Sequence, residues 1–191
     1  FSSGYIFFLT GMESVKKCYR IAPSGTASDP ANNIISIDDF WNSASSTGYV
    51  FQNVSGEVQK VYIIGNLPDA GNTTEAIVRS KTTLTELKKI AVPIAAQSNI
   101  DDVTMDGIDE SLEAIGGDQT QKKASITLTP LCSRIEIAKL TSGGAVTAYK
   151  LQGIYVSHFY NEMPLNEISD LTKQEFYALN NGTDYAVHTY M

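Results

Sequence analysis

Apolar and polar residues alternate through most of this chain, and this period of two predicts a protein built mainly from β-strands. The longest predicted strands lie at residues 5–9, 15–21, 60–66, 125–140 and 148–160, and shorter ones at 32–37 and 49–54. In 5–9 and 60–66 both alternating positions are apolar. We expect these two strands to be covered on both faces, in the middle of a sheet.

The longest of these strands changes its apolar face part-way. Ile126 and Leu128 are apolar at even positions, whereas Ile135 and Ile137 are apolar at odd positions. A strand with a strict period of two cannot do this without an extra residue or a bend. Proline also lacks the N–H that a ladder needs. We therefore predict a bulge or a switch between sheets at 130–132, as expected in a β-sandwich.

Helices are expected to be few and short. Thr83 and Glu86 have the spacing of a capping box, and Leu84 and Leu87 begin an apolar stripe with near-helical spacing. Pro93 interrupts that stripe, so the predicted helix ends by about residue 91. A further helical turn is predicted at 38–42.

The chain is predicted to contain one main domain. Residues 1–161 carry the strand pattern, whereas 162–191 contain another capping box, Thr172 with Glu175, and little strand pattern. We predict a β-sandwich at 1–161, followed by a linker or the start of a C-terminal domain.

Composition narrows the function classes. Of 191 residues, 42% are hydrophobic and 18% are charged, which is typical of a globular protein. The formal net charge of −7 argues against binding to nucleic acid. No run reaches the roughly 18 apolar residues that span a bilayer. Because an apolar strand begins almost at residue 1, we expect that a leader has been removed, although the sequence does not show the compartment directly.

The two cysteines, Cys18 and Cys132, both fall on the polar side of their predicted strands. An exported protein permits a disulfide, but pairing requires that the two strands be adjacent. The sequence leaves both the disulfide and two free thiols open.

One acidic segment has the spacing of a calcium loop. Asp102, Asp106, Gly107 and Glu113 occupy loop positions one, five, six and twelve. Thr104 replaces the usual acid at position three, however. We therefore predict an acidic surface loop and no metal site.

Catalytic patterns are lacking in the sequence, so we predict no enzymatic activity and no cofactor. His158 lies on a predicted strand and is interpreted as structural; a small hydrolase that uses it with buried carboxylates is a distant alternative. Four aromatic residues are candidates for a sugar-stacking platform, although such residues more often pack in a core. They are Phe40, Trp41, Tyr49 and Phe51.

Five segments, in order along the chain, resemble motifs of the fimbrillin family of Gram-negative gut and oral bacteria. They are 60–68 (KVYIIGNLP), 84–87 (LTEL), 103–107 (VTMDG), 126–137 (ITLTPLCSRIEI) and 149–161 (YKLQGIYVSHFYN). The resemblance implies a mainly β, transthyretin-like β-sandwich of about seven strands with one or two short helices.

The resemblance also implies a function. It predicts a lipoprotein subunit of a surface pilus or fimbria at the outer membrane, which serves cell adhesion and whose partners are other subunits of the same family. A host or bacterial surface ligand would be a further partner. Such subunits join by strand donation, a form of β-augmentation. We expect the acceptor groove at Tyr5, Phe7 and Leu9; the main alternative function is a carbohydrate-binding surface module.

Overall fold

The structure, a computed structural model, describes residues 1–42, 49–97, 100–132, 141, 143–145 and 162–165. Within these ranges the chain is mainly β, as predicted. The strands are β1 (Gly4–Thr10), β2 (Val15–Ala22), β3 (Ile34–Ser36), β4 (Val58–Gly65), β5 (Ala91–Pro93), β6 (Met105–Asp109), β7 (Glu113–Ile115), β8 (Asp118–Lys123), β9 (Thr129–Pro130) and β10 (Glu162–Pro164). The α-helices are α1 (Ile37–Asn42), α2 (Glu75–Arg79) and α3 (Leu84–Lys88).

A six-stranded sheet organises the fold, in the order β3-β2-β1-β4-β6-β9. β2 and β3 pair in parallel, and the other neighbours pair antiparallel. Two smaller sheets are formed by β5 with β10 and by β7 with β8. β1 and β4 lie side by side in the interior of the large sheet, as their two apolar faces predict.

Both faces of the large sheet are buried. The first core lies between the sheet and a layer made by α2, α3 and the β5–β10 pair, and the fold is therefore sandwich-like. Its buried members are Tyr5, Phe7, Leu9, Tyr62, Ile64, Leu67, Val78, Leu84, Leu87, Ile90, Val92 and Leu165. The second core lies on the opposite face and contains Ile6, Phe8, Tyr19, Ile21, Ile35, Ile37, Val58 and Val61.

The capping pattern correctly predicts where α3 begins. The Thr83 side chain accepts a hydrogen bond from the backbone N–H of Glu86 at 3.2 Å. The Glu86 carboxylate, however, accepts from the N–H of Thr82 at 2.8 Å, which is one residue earlier than a reciprocal box requires. α3 ends at Lys88 because the chain enters β5 at residue 91. With α1 and α2, the described residues contain three short helices, one more than predicted.

A β-bulge in β2 changes which of its side chains face the core, so the predicted faces of this strand were wrong. The ladder with β1 pairs Phe8 with Lys17 but Leu9 with Val15, so Lys16 is an extra residue. Such a residue reverses the alternation beyond it. Val15 therefore packs against the first core, together with Cys18, whereas we predicted Cys18 on a polar side.

Three other predictions, of a strand, a loop and a domain boundary, also differ from the structure. Residues 49–54 form no strand; their aromatic side chains pack on the second core without a ladder. The predicted acidic loop contains β6 and β7. β10 lies beyond the predicted domain boundary at residue 161, yet it pairs with β5, and Leu165 is buried in the first core. The sandwich therefore extends at least to residue 165.

The predicted strand 125–140 is described only in part. Residues 125–128 form no ladder, β9 spans two residues, and Leu131 and Cys132 lie in a bend. Residues 133–140 and the predicted strand 148–160 lie outside the described residues. The proposed switch between sheets stays a prediction.

Candidate functional site

The residues predicted to line an acceptor groove lie in a closed core. Tyr5 is 5% exposed, and Phe7 and Leu9 are not exposed at all. β1, which carries them, has ladder partners on both edges, β2 and β4. An incoming strand cannot pair with a strand whose two edges are occupied, so this prediction is corrected. Any acceptor must be an edge of the sheet.

The β3 edge is already covered. Asp29 exchanges two backbone hydrogen bonds of 2.9 Å with Ile34. The hydroxyl of Ser28 accepts from the N–H of Ser36 at 2.8 Å. These contacts satisfy the outward-facing groups that an added strand would use.

The opposite edge is incomplete. β6 spans five residues, but β9 pairs only with Met105 and Asp106. By the period of two, the N–H and C=O of Ile108 point to the same outer side as those of Asp106. The ladder with β9 does not reach Ile108, and in the described part of the chain no loop residue forms a backbone hydrogen bond with it. Among the described residues, β6 thus carries a stretch of edge without a ladder partner.

Gly107 allows the chain to approach this edge closely. A Cβ atom at this position would collide with the carbonyl oxygen of Thr127 and would lie 2.8 Å from the Ile126 side chain. Only glycine leaves room for such an approach of two backbones. The segment before β9 therefore lies beside β6 without forming a ladder with it.

A half-buried carboxylate lies on the same strand. The Tyr62 hydroxyl donates a hydrogen bond of 2.7 Å to Oδ2 of Asp106. Burial raises the pKa of Asp106 above its ordinary value, although this hydrogen bond and the charge of Lys88 oppose the rise. Burial and the same carboxylate also raise the pKa of Tyr62. Burial thus disfavours the ionised form of both groups.

This carboxylate predicts a pH-dependent stability. Because the pKa of Asp106 is raised on folding, its contribution is complete below the ordinary value of 3.8 and is lost as pH rises through the folded pKa. Asp106→Asn cannot ionise and still accepts from Tyr62. We expect the variant to gain free energy of unfolding relative to the original chain as pH rises from acid to neutral, measured by urea denaturation.

Asp118→Asn provides a control of opposite sign. Hydrogen bonds from Thr120 lower the pKa of Asp118, so its contribution is present at neutral pH and is lost as pH falls. This variant should lose relative stability as pH rises towards the ordinary carboxyl pKa of 3.8, whereas Asp106→Asn should gain it as pH rises above that value. Parallel pH profiles for the two variants would contradict the assignment.

Asn66 joins three segments of the chain at the end of β4. Its side-chain oxygen accepts from the N–H of Ser2 at 2.8 Å. Its side-chain nitrogen donates to the carbonyl oxygens of Asp101 at 3.0 Å and Val103 at 3.1 Å. Its backbone has φ 54, in the left-handed region, which asparagine tolerates better than most residues. Asn66 belongs to the segment 60–68, which resembles a fimbrillin motif, and its role there is that of a structural junction.

A buried polar pair continues this junction. The hydroxyl of Thr104 donates to the carbonyl oxygen of Asn66 at 2.9 Å and accepts from the side chain of Gln97 at 3.0 Å. Gln97 in turn accepts from the backbone N–H of Thr104. Each buried polar group here has a partner, as a stable interior requires.

An open cleft of about 320 Å³ lies beside the start of β1 and the end of β4. Arg20, which lines it, pairs with Glu75 at 2.5 Å. Glu75 also pairs with Arg79 at 2.7 Å. The cleft carboxylates are Asp69 and Asp102. Because its one lining arginine is already paired, the cleft has no strong preference for an anion.

The cysteines are both free thiols, which answers the question that the sequence left open. Burial raises the pKa of Cys18 to about 12, partly offset by Arg79. Burial also raises the pKa of Cys132. Since the thiolate is the nucleophile, a thiol with a raised pKa is poorly reactive at neutral pH.

The four predicted platform aromatics do come together. Phe40 stacks on Tyr49 with ring centroids 5.5 Å apart, Tyr49 contacts Phe51 at 4.8 Å, and Phe51 contacts Phe8 of the second core at 5.0 Å. These rings form a row that leads from the core to the surface.

Trp41 is the exposed end of that row. It lies 5.0 Å from Phe40 and 5.6 Å from Phe1, in edge-on contacts, and it is 61% exposed. Phe40 and Tyr49, by contrast, are half-buried. The platform is therefore narrower than predicted.

Of the residues considered for metal binding or catalysis, only some lie within the described ranges. The calcium-like segment folds as strand β6 and its neighbours rather than as one loop. The described residues contain no group of three or more His, Cys, Asp or Glu side chains that could hold a metal ion. His158 lies outside the described residues. In the described ranges, no helix has the length and apolar character needed to cross a membrane.

Comparison with protein-family models, with curated proteins and with solved structures finds no match for this chain. Its function must therefore be argued from the geometry above and from the motifs of the sequence.

Proposed function

We propose that this chain is a structural subunit of a surface pilus or fimbria, which joins other subunits by strand donation and serves cell adhesion. It would act at the cell surface after export, without catalysis. The observation that carries the proposal is the stretch of β6 that has no ladder partner among the described residues, because strand donation needs an edge whose backbone groups are free to form a ladder.

The chemistry of this edge suits an added strand. A donor segment that displaces residues 125–127, which lie beside β6, would extend the ladder and pair with the N–H and C=O of Ile108. The side chain of Ile108 packs against the first core, and that of Ile126 against the second. Alternate side chains of the donor could thus contact apolar surface, which gives β-augmentation its specificity.

The roles of the motif residues are consistent with a scaffold. Asn66 joins three segments by hydrogen bonds. Leu84 and Leu87 fill the first core. Gly107 permits the close approach of two backbones. None of these three roles involves chemistry on a substrate, and all of them shape the sandwich and its edge.

Ile108→Pro tests the proposal. Proline removes the outward N–H, and an edge position tolerates it because no ladder bond inside the sheet is lost. We expect cells that express the full chain with this change to lose the ladder of heat-labile, detergent-resistant polymers on denaturing gels. The purified variant should keep the β-type circular dichroism of the original chain.

Ile108→Ala is the matched control, because it removes the same apolar side chain but keeps the N–H. It should still polymerise. Equal ladders from the proline variant and the original chain would reject strand donation at β6. The absence of any ladder from the original chain would reject the subunit proposal itself.

A further inference from the structure

The exposed indole of Trp41 packs against other aromatic rings. Phe1 and Phe40 contact it from two sides, and Phe40 in turn stacks on Tyr49. These contacts restrict the rotation of the indole while most of its surface stays open to solvent. Ligand binding would therefore cost little further conformational entropy of the Trp41 side chain.

Polar groups flank the indole. Asp38 precedes Trp41 by three residues on α1, so the two side chains lie on neighbouring positions of one helix face. The Asp38 carboxylate is oriented by the hydroxyl of Ser24, at 2.9 and 3.0 Å, and by the N–H of Gly25 at 3.1 Å. Asp38 is exposed, and it can accept further hydrogen bonds.

We propose that Trp41 and Asp38 form a binding site for a neutral carbohydrate. One face of a pyranose ring carries C–H groups and would stack on the indole, whose face is electron-rich. The hydroxyls at the ring edge would donate to the Asp38 carboxylate, and the indole N–H would donate to a ring or hydroxyl oxygen. This inference goes beyond the proposed assembly and does not depend on it.

The shape of the surface favours a glycan over other ligands. The surface is open on its outer side, whereas small-molecule sites enclose most of their ligand. Few large apolar side chains are exposed in the described residues, and Val50, at 69%, follows Tyr49 in the chain. That area is small for a stable protein interface. The Ser24 hydroxyl and the Gly25 N–H already occupy part of the Asp38 carboxylate, which leaves fewer lone pairs for a cation.

Titration of the full chain with neutral hexasaccharides tests the proposal. Trp41 is the only tryptophan of the chain, so its fluorescence reports on this site alone. We expect cellohexaose, mannohexaose or chitohexaose to produce a saturable change in Trp41 emission. Calorimetry should show that Trp41→Ala weakens binding by about tenfold or more. Trp41→Phe, which keeps a ring, should weaken it less.

Two further variants sharpen the result. Asp38→Asn should also weaken binding, because a neutral amide accepts hydroxyl protons less strongly. Met12→Ala is the matched control: Met12 is 91% exposed but lies in the turn at the other end of β1, so binding should not change. Circular dichroism checks that each variant is folded.

Three outcomes would overturn the inference. The first is the lack of any fluorescence change or heat at millimolar concentrations of all three sugars. The second is binding that Trp41→Ala leaves unchanged. The third is a response of Trp41 to an oligolysine peptide but not to the sugars, which would indicate a cation site instead.

Discussion

Replacing Phe7 with aspartate will prevent the chain from folding. Phe7 has no exposed surface and lies on β1, the strand shared by both cores. Burying an unpaired carboxylate there, with the loss of a large apolar side chain, costs more than about 4 kcal/mol. Far-UV circular dichroism and urea denaturation should show no cooperative transition.

Phe7→Leu separates packing from charge. It keeps an apolar side chain at the same position and should cost about 1–3 kcal/mol while retaining the fold. A folded, cooperative Phe7→Asp protein would show that this core opens more easily than its burial indicates. Loss of polymers in Phe7→Asp alone would reflect unfolding, so strand donation is better tested at Ile108.

Asn66→Ala is expected to destabilise the chain by about 3–5 kcal/mol. The change leaves the carbonyl oxygens of Asp101 and Val103 without their donor and the N–H of Ser2 without its acceptor. Alanine must also adopt the left-handed φ of 54, which glycine and asparagine tolerate better. Urea denaturation measures the loss.

Asn66→Gly isolates the two causes. Glycine loses the same hydrogen bonds but avoids the backbone strain, so it should be less destabilised than the alanine variant by about 1 kcal/mol. If both variants equal the original chain in stability, the junction does not stabilise the fold. If they equal each other but not the original chain, the hydrogen bonds act without a contribution from strain.

The interior strands and α3 could be predicted from the sequence because one local pattern determines each. β1 and β4 are apolar on both faces, and Thr83 has the spacing to Glu86 that is typical of a helix N-cap. β6 was missed because it is half-buried throughout, and Asp106 with Gly107 therefore reads as a loop. Its strand state depends on Tyr62 and β4, which are distant in sequence.

The faces of β2 and the candidate sites depended on contacts that no local pattern contains. The side of Cys18 and Arg20 appears polar, yet α2 covers it, and Glu75 of that helix pairs with Arg20. The bulge at Lys16 cannot be predicted from residue types, since lysine is common both at bulges and at regularly paired positions of a strand. Likewise, sequence grouped Trp41 with three other aromatics but could not show that Trp41 alone is widely exposed among them.

The position of β1 has a consequence for how the molecule opens. Its even residues fill one core and its odd residues the other, so neither core can melt while the other keeps β1 in place. Local fluctuations therefore cannot expose the β1 amides. In a hydrogen–deuterium exchange experiment these protons should be the last to leave, at the rate set by complete unfolding.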